Sequence, residues 1–510
     1  MTPRDRCTLV ALVAVAVAAC AGDGGDVGAG DGSASPSTTG TSPSTVEAGA
    51  NDDGGGDEGD GAVVAGATGL EPPDVYFPQL GNAGYDVARY ELDLRVDASA
   101  NRLDGTATIT ATNTAAAALG SFHLDLDGLE VEAVTVDGTE AATERADGEL
   151  QVTPATAVDE DAEFVVEVAY GGVPEPIDSA ALGLVGWRQT DDGDATFVAS
   201  EPEGASTWFP VNDHPLDKAA FTFRITVDEG LGVAANGVLD ERLPNADGTT
   251  TWVWEMADPM ASYLATVVVD DLVIDERPGP DGVILRDVYP RDLAERARPT
   301  FARHGEMLEL LTDRFGPYPF AAYGAVVIDT SLGFALETQT LSIFDRGLGL
   351  AGPGGFGEEI VVHELAHQWY GNSVSVASWQ DMWLNEGFAT YAQWLWTEHT
   401  GRATADERAA ESADRLRATG AGDLPPGDPG PDRLFAPSVY ERGALTLHAV
   451  RRAIGDEDFF TVLRRWAAEH RDANATTEEL IALTVEVSGS IEVEAVFEEF
   501  LYSDTLPDGP

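Results

Sequence analysis

Lysine is almost absent from this sequence: Lys218 is the only one in 510 residues. Lysine and arginine together number 29 against 89 acidic residues, a formal charge of -60. A nucleic-acid binder needs a basic stripe or patch, so this balance argues against that class and against any nucleic-acid partner. The excess charge suits solubility outside the cell, but beyond about a Debye length it does little to steer a substrate. Cysteine is equally scarce, with only Cys7 and Cys20. Both lie near the N-terminus, so a disulfide framework is excluded and stability has to come from a core. No long apolar run is present either. The one at residues 8–19 is too short to span a bilayer and remain there.

That short run follows Arg4 and Arg6, the arrangement of an export signal. It ends Val17-Ala18-Ala19-Cys20. Small residues before a cysteine resemble a bacterial lipoprotein signal over residues 1–20, with cleavage before Cys20 and lipid on its sulfur. An ordinary secretory signal that ends near a cysteine is the competing reading. Two or more acyl chains would anchor the protein stably on the outer side of the membrane. Residues 21–72 are then expected to be a disordered tether. Most of this stretch is Gly, Ser, Thr, Asp and Ala, too poor in large apolar residues to offset the entropy of ordering.

The remaining chain is long enough for two or three domains. Residues 73–277 read as β: alternating runs at 88–96, 106–112, 122–126, 163–168 and 220–227 are separated by turn signals such as Asp137-Gly138, Asp147-Gly148 and Asp247-Gly248. An all-β, sandwich-like domain is expected. Over residues 278–510 the periodicity changes. Helices are expected at 299–315, 358–370, 381–399, 404–417, 439–454, 456–470 and 476–487, with short strands at 323–329 and 338–344. This is an α+β domain.

Its centre is Val361-Val362-His363-Glu364-Leu365-Ala366-His367-Gln368-Trp369-Tyr370-Gly371. Positions four apart share a helix face, so His363 and His367 can offer two imidazoles to one metal ion. Glu364 lies beside them, where it can polarise a water. This is a zinc hydrolase pattern. Two buried, satisfied histidines on an amphipathic helix would give the same spacing. A second apolar segment, Trp383-Leu384-Asn385-Glu386-Gly387-Phe388-Ala389, carries an acid in its first turns. A structural zinc site has four protein ligands and is rich in cysteine, whereas a catalytic one has three and an open position. No cysteine is nearby, so Glu386 is the natural third ligand to a single Zn²⁺.

The two segments together, with their spacing, resemble the aminopeptidase N family of zinc metallopeptidases (gluzincins), which also contains the leukotriene hydrolase. The resemblance covers about residues 75–505. It implies a saddle-shaped N-terminal β domain and a thermolysin-like catalytic domain. Larger members carry a further C-terminal helical domain with no counterpart before Pro510, which implies a more open cleft. Phe334-Ala335-Leu336-Glu337-Thr338 stands where the family has Gly-x-Met-Glu-Asn, a partial match in which Glu337 would hold the substrate's α-ammonium. An ordinary strand glutamate is the alternative. A second amine contact falls near Ser200-Glu201-Pro202-Glu203: the usual Gln maps to Ala199, Glu201 is the nearest acid, and Glu203 competes with it. Tyr440 of Val439-Tyr440-Glu441-Arg442-Gly443-Ala444 resembles the family's oxyanion-stabilising tyrosine, with Arg442 in place of lysine. Ser438 and Glu441 look like a capping box that puts Tyr440 in a first helical turn. His214 reads as a loop residue.

These residues imply a zinc-dependent aminopeptidase at the cell surface, expected to be a monomer, acting on peptides with a free N-terminus. Glu364 and Tyr440 would be catalytic, Glu337 and Glu201 would bind the amine, and His363, His367 and Glu386 would hold the metal. A thermolysin-like endopeptidase and a non-catalytic peptide-binding lipoprotein are the alternatives. No motif argues for epoxide hydrolysis.

Overall fold

The computed structural model describes residues 63–508. The expected signal, the Cys20 anchor and most of the tether lie outside that range. Part of the expected tether does not: Val63–Ala65 forms a strand parallel to the chain at Ala118–Ser121. The described strand therefore begins before residue 72, where four consecutive apolar residues, Ala62-Val63-Val64-Ala65, interrupt the Gly and Asp run.

The N-terminal domain is built on an eight-stranded sheet. Tyr85–Asp97 lies near its middle, antiparallel to Arg102–Asn113 and parallel to Ala219–Asp228. Its alternation is complete where the sequence alternates: Tyr90, Leu92, Leu94 and Val96 point into the core, while Glu91, Asp93 and Arg95 face out. Asp137-Gly138 and Asp147-Gly148 both have positive φ at each residue, as tight hairpin turns demand. A five-stranded sheet, including Thr196–Ala199, Gly232–Ala235 and Val267–Asp270, faces the second domain. Phe197, Ala199 and Val268 of this sheet pack with Val326, Ile343 and Leu336 of the next in one apolar cluster. The change of sheet comes at Asp271, since Leu272–Pro278 already belongs to the second domain's sheet. That strand continues the β pattern of the sequence up to 278 while pairing in the next sheet.

In the second domain a mixed sheet ends in a short edge strand, Ala335–Leu336, paired only with Ser342–Phe344. The helices are α1 (Ala294–Ala297), α2 (His304–Phe315), α3 (Arg346–Gly349), α4 (Gly355–Ala366), α5 (Trp383–His399), α6 (Ala405–Thr419), α7 (Pro437–Ile454), α8 (Asp456–Glu469), α9 (Thr477–Ser488) and α10 (Glu492–Tyr502). Several differ from expectation. The helix read over 299–315 starts only at His304, and Pro299 lies in the turn between α1 and α2, where its missing N–H and fixed φ are tolerated. The strand read from 338 starts at Ser342, because Thr340 has φ 66° and the chain turns there. Ser438 does not cap α7: Pro437 occupies its first position and the Ser438 hydroxyl donates to the Leu424 carbonyl. True capping boxes start α6 at Thr404 and α9 at Thr476.

Two glycines let α5 and α7 touch backbone to backbone. A Cβ on Gly387 would lie 2.9 Å from the carbonyl carbon of Gly443. Glu386 immediately precedes Gly387, and Tyr440 lies three residues before Gly443, so this contact sets how those two side chains meet. Gly387→Ala is expected to lower stability by about 1–3 kcal/mol through overpacking and to raise α7 off α5. Thermal unfolding checks it, and an unchanged melting temperature would rule out the close contact.

Candidate active site

The apolar run Ile360-Val361-Val362 buries one side of α4 and leaves His363 and His367 one turn apart on another. The helix closes at His367 and the chain turns at Gly371, whose φ is 126°. A side chain there would press on the His367 ring and on Asn385, so the turn requires glycine. The return brings Glu386, in the first turn of α5, against both imidazoles. Glu386 Oε2 is 3.1 Å from His363 Nε2 and 3.5 Å from His367 Nε2. One ligand atom from each residue lies within 4.8 Å of the others, and among the described residues this is the single group of its kind. His367 Nδ1 is 3.2 Å from the Tyr370 carbonyl, which assigns the proton to Nδ1 and leaves Nε2 for the metal.

Three more carboxylates converge on the cleft, and all are nearly as buried. Glu364 is 4% exposed, Glu337 3% and Glu201 2%. Glu364 Oε2, Glu337 Oε1 and Glu201 Oε1 have no hydrogen-bond partner in the protein. Burial, reinforced by Glu337 and Glu386, pushes Glu364 well above the usual carboxylate range, although His367 opposes the shift. Glu201 is raised by burial and by the charges of Glu337, Glu386 and Glu364. Burial also raises Glu337. Glu386 moves the other way: burial opposes ionisation, but the two histidines outweigh it and bring it down to about 2. At His367, burial is outweighed by Glu337, Glu386 and Glu364, and its pKa rises to about 10.

Glu337 is positioned through its backbone at the sheet edge. Its carbonyl accepts from Gln368 Nε2 at 3.1 Å and Asn372 Nδ2 at 2.7 Å. Asn372 is held in turn by Lys218, whose Nζ donates to the carbonyls of Asn372 and Ser373 at 2.8 and 2.9 Å. Burial pushes that ammonium down to about 7. These supporting residues were not singled out in the sequence, although a solitary lysine in so acidic a chain was a usable signal. Tyr440 lies in the first turn of α7 with its ring stacked on His363, centroids 6.0 Å apart. Its hydroxyl is held protonated, mainly by burial and then by Glu386. The structure also separates the three candidates for the second amine contact. Ala199 packs in the apolar cluster between the sheets, Glu203 faces a different cavity, and Glu201 lines the metal cleft. His214 pairs with Asp74 at 3.4 Å, away from the metal group.

Residues 87–264 match the family model "Peptidase M1 N-terminal domain", and residues 300–500 match "Peptidase family M1 domain". The M1 zinc metallopeptidase of Deinococcus radiodurans is 31% identical, with a TM-score of 0.78 over 86% of this chain and 98% of that one. The chain belongs to the M1 family of zinc metallopeptidases. This M1 chain is also 28% identical over 317 residues to "Aminopeptidase M1" of Arabidopsis thaliana, and 30% over 334 residues to "Probable M1 family aminopeptidase 1" of Encephalitozoon cuniculi. It spans 35% and 38% of those two proteins.

The residues of the M1 site fit one zinc ion. Two imidazoles and a carboxylate are an open three-ligand set of the catalytic kind, and uncompensated buried oxygens surround it. A divalent cation there would favour the ionised form of each nearby acid. His367 carries a proton near pH 7 in the metal-free protein and has to shed it to coordinate. Zinc titrated into metal-free protein at pH 7–8 is therefore expected to release about one proton or more per ion. Calorimetry in buffers of different ionisation enthalpy measures this, and a binding enthalpy independent of buffer would contradict it.

Proposed function

We propose that this protein is a zinc-dependent aminopeptidase that removes N-terminal residues from peptides. The observation that carries this reading is the placement of Glu337 and Glu201 in the same cleft as the metal group. Two buried acids with unpartnered oxygens form a site for a substrate α-ammonium. An internal peptide bond brings no such cation and would leave them uncompensated, which disfavours the endopeptidase reading. The named relatives in Arabidopsis and Encephalitozoon are called aminopeptidases, and a variant of the Deinococcus protein is bound to a Tyr-Ser-Ala substrate. These support the reading.

When bound, zinc supplies Lewis acidity for a water and for the scissile carbonyl. Glu337 and Glu201 fix the amine and so count off one residue. Glu364, whose proton affinity is raised by burial, accepts the water's proton and returns it to the leaving nitrogen. Tyr440 stays protonated and donates to the developing oxyanion. The edge strand Ala335–Leu336 can pair with the substrate backbone. We further propose export and anchoring through Cys20, a reading supported by Val17-Ala18-Ala19-Cys20.

A panel of aminoacyl-naphthylamides and matched N-acetylated peptides tests the activity. Chelator-sensitive cleavage of the free-amine substrates alone is expected, and cleavage of the acetylated peptides would overturn the proposal. Glu364→Gln should retain zinc and lose turnover, while Tyr440→Phe should lower kcat about a hundredfold or more. Activity surviving in E364Q would contradict the assigned base.

A further inference from the structure

The cleft continues past the metal group, away from the amine-binding acids. Helix α4 gives the direction. Glu337 lies 3.8 Å from His367, and Arg408 lies 3.1 Å from Glu359, with His363 midway between those two helix positions. At 1.5 Å per residue, positions 359 and 367 are about 12 Å apart along the axis. A peptide whose amine is at Glu337 and whose scissile carbonyl is near His363 and Tyr440 must send its leaving part toward Glu359. The cleft, about 1150 Å³ counting the solvent at its mouth, has room for it.

Arg408 stands at that far end, and Arg415, seven residues later on the same face of α6, also lines the cleft. Arg408 binds Glu359 and the exposed Glu411, and its buried Nε has no partner. Glu359 is shared with Arg402 at 3.4 Å, so its charge is already matched twice. Arg415 makes a single hydrogen bond, from Nε to Glu441 at 3.2 Å, and is 43% exposed. Among the described residues its two terminal nitrogens have no protein partner. That leaves a two-pronged guanidinium edge of the kind that grips a carboxylate.

We propose that Arg415, supported by Arg408, binds the C-terminal carboxylate of short peptides. Building on the aminopeptidase reading, this makes tri- and tetrapeptides the preferred substrates. A chain of three or four extended residues spans about 10–14 Å, comparable to the roughly 12 Å between the α4 positions that mark the two ends of the cleft. Shorter peptides fall short of Arg415, and longer ones carry their carboxylate past it.

The test is calorimetry on zinc-loaded E364Q protein with Leu-Ala-Ala, its C-terminal amide, its N-acetyl form and a six-residue homologue. The free acid is expected to bind about tenfold more tightly than the amide, a difference the six-residue pair should lack. Adding Arg415→Gln should bring the acid-to-amide ratio close to one, and Arg415→Lys should restore it only in part. Arg415 is surface-exposed, and zinc content reports whether each variant is folded. Equal affinity of acid and amide in the E364Q protein would overturn the proposal, as would a ratio unchanged by R415Q. Failure of the aminopeptidase reading looks different: the N-acetyl peptide would then bind as well as the free amine.

Discussion

Four carboxylates buried around two imidazoles are the constraint on which this site rests. Glu201, Glu337, Glu364 and Glu386 are each 4% exposed or less. Burying an uncompensated carboxylate costs several kcal/mol, and nearby like charges add to that. The protein supplies only His363 and His367 against them, and the outcome is divided: Glu386 is stabilised as an anion by the histidines while the other three are pushed up. On the proposed reading, a zinc ion and a substrate ammonium are the two cations that complete the balance. The same electrostatics would then serve metal uptake and selection of a free amine.

The scaffold holds these charges in place by contacts far apart in sequence. Glu386 and Tyr440 are set by the glycine contact between α5 and α7. Glu337 is set by the apolar cluster beneath Leu336 and by a chain of hydrogen bonds from Lys218 through Asn372. Glu201 is delivered by the first domain from the end of Thr196–Ala199. Arg442 is buried and donates to carbonyls of Gly422, Phe500 and Ser503, tying α7 to the end of α10. Its position in the helix explains why a cation is needed there even though it takes no part in the cleft.

Much of this was legible in the sequence where local rules decide. The metal group follows from helix periodicity, a turn glycine and an acid at the start of the next helix. The long strands follow from alternation, and Asp-Gly pairs fall in the turns they favour. Where sequence reasoning fell short, the deciding partner is remote. Pro299 could have opened a helix, but the chain breaks there and α2 starts at His304. Ser438 offered a cap, yet its hydroxyl is taken by Leu424. The choice among Ala199, Glu201 and Glu203 depends on how a strand end meets a second domain, which periodicity does not encode. Lys218 and Arg442 act on carbonyls more than a dozen positions away, partners that neither the rarity of lysine nor the motif around Tyr440 specifies.

The most direct test of the central claim, that the buried acids measure one residue from the free amine, is the order of product appearance. A peptide of about ten residues is digested by the zinc-loaded protein and followed by mass spectrometry over time. The account predicts a ladder of successive single-residue losses from the N-terminus. Internal fragments among the first products would contradict it.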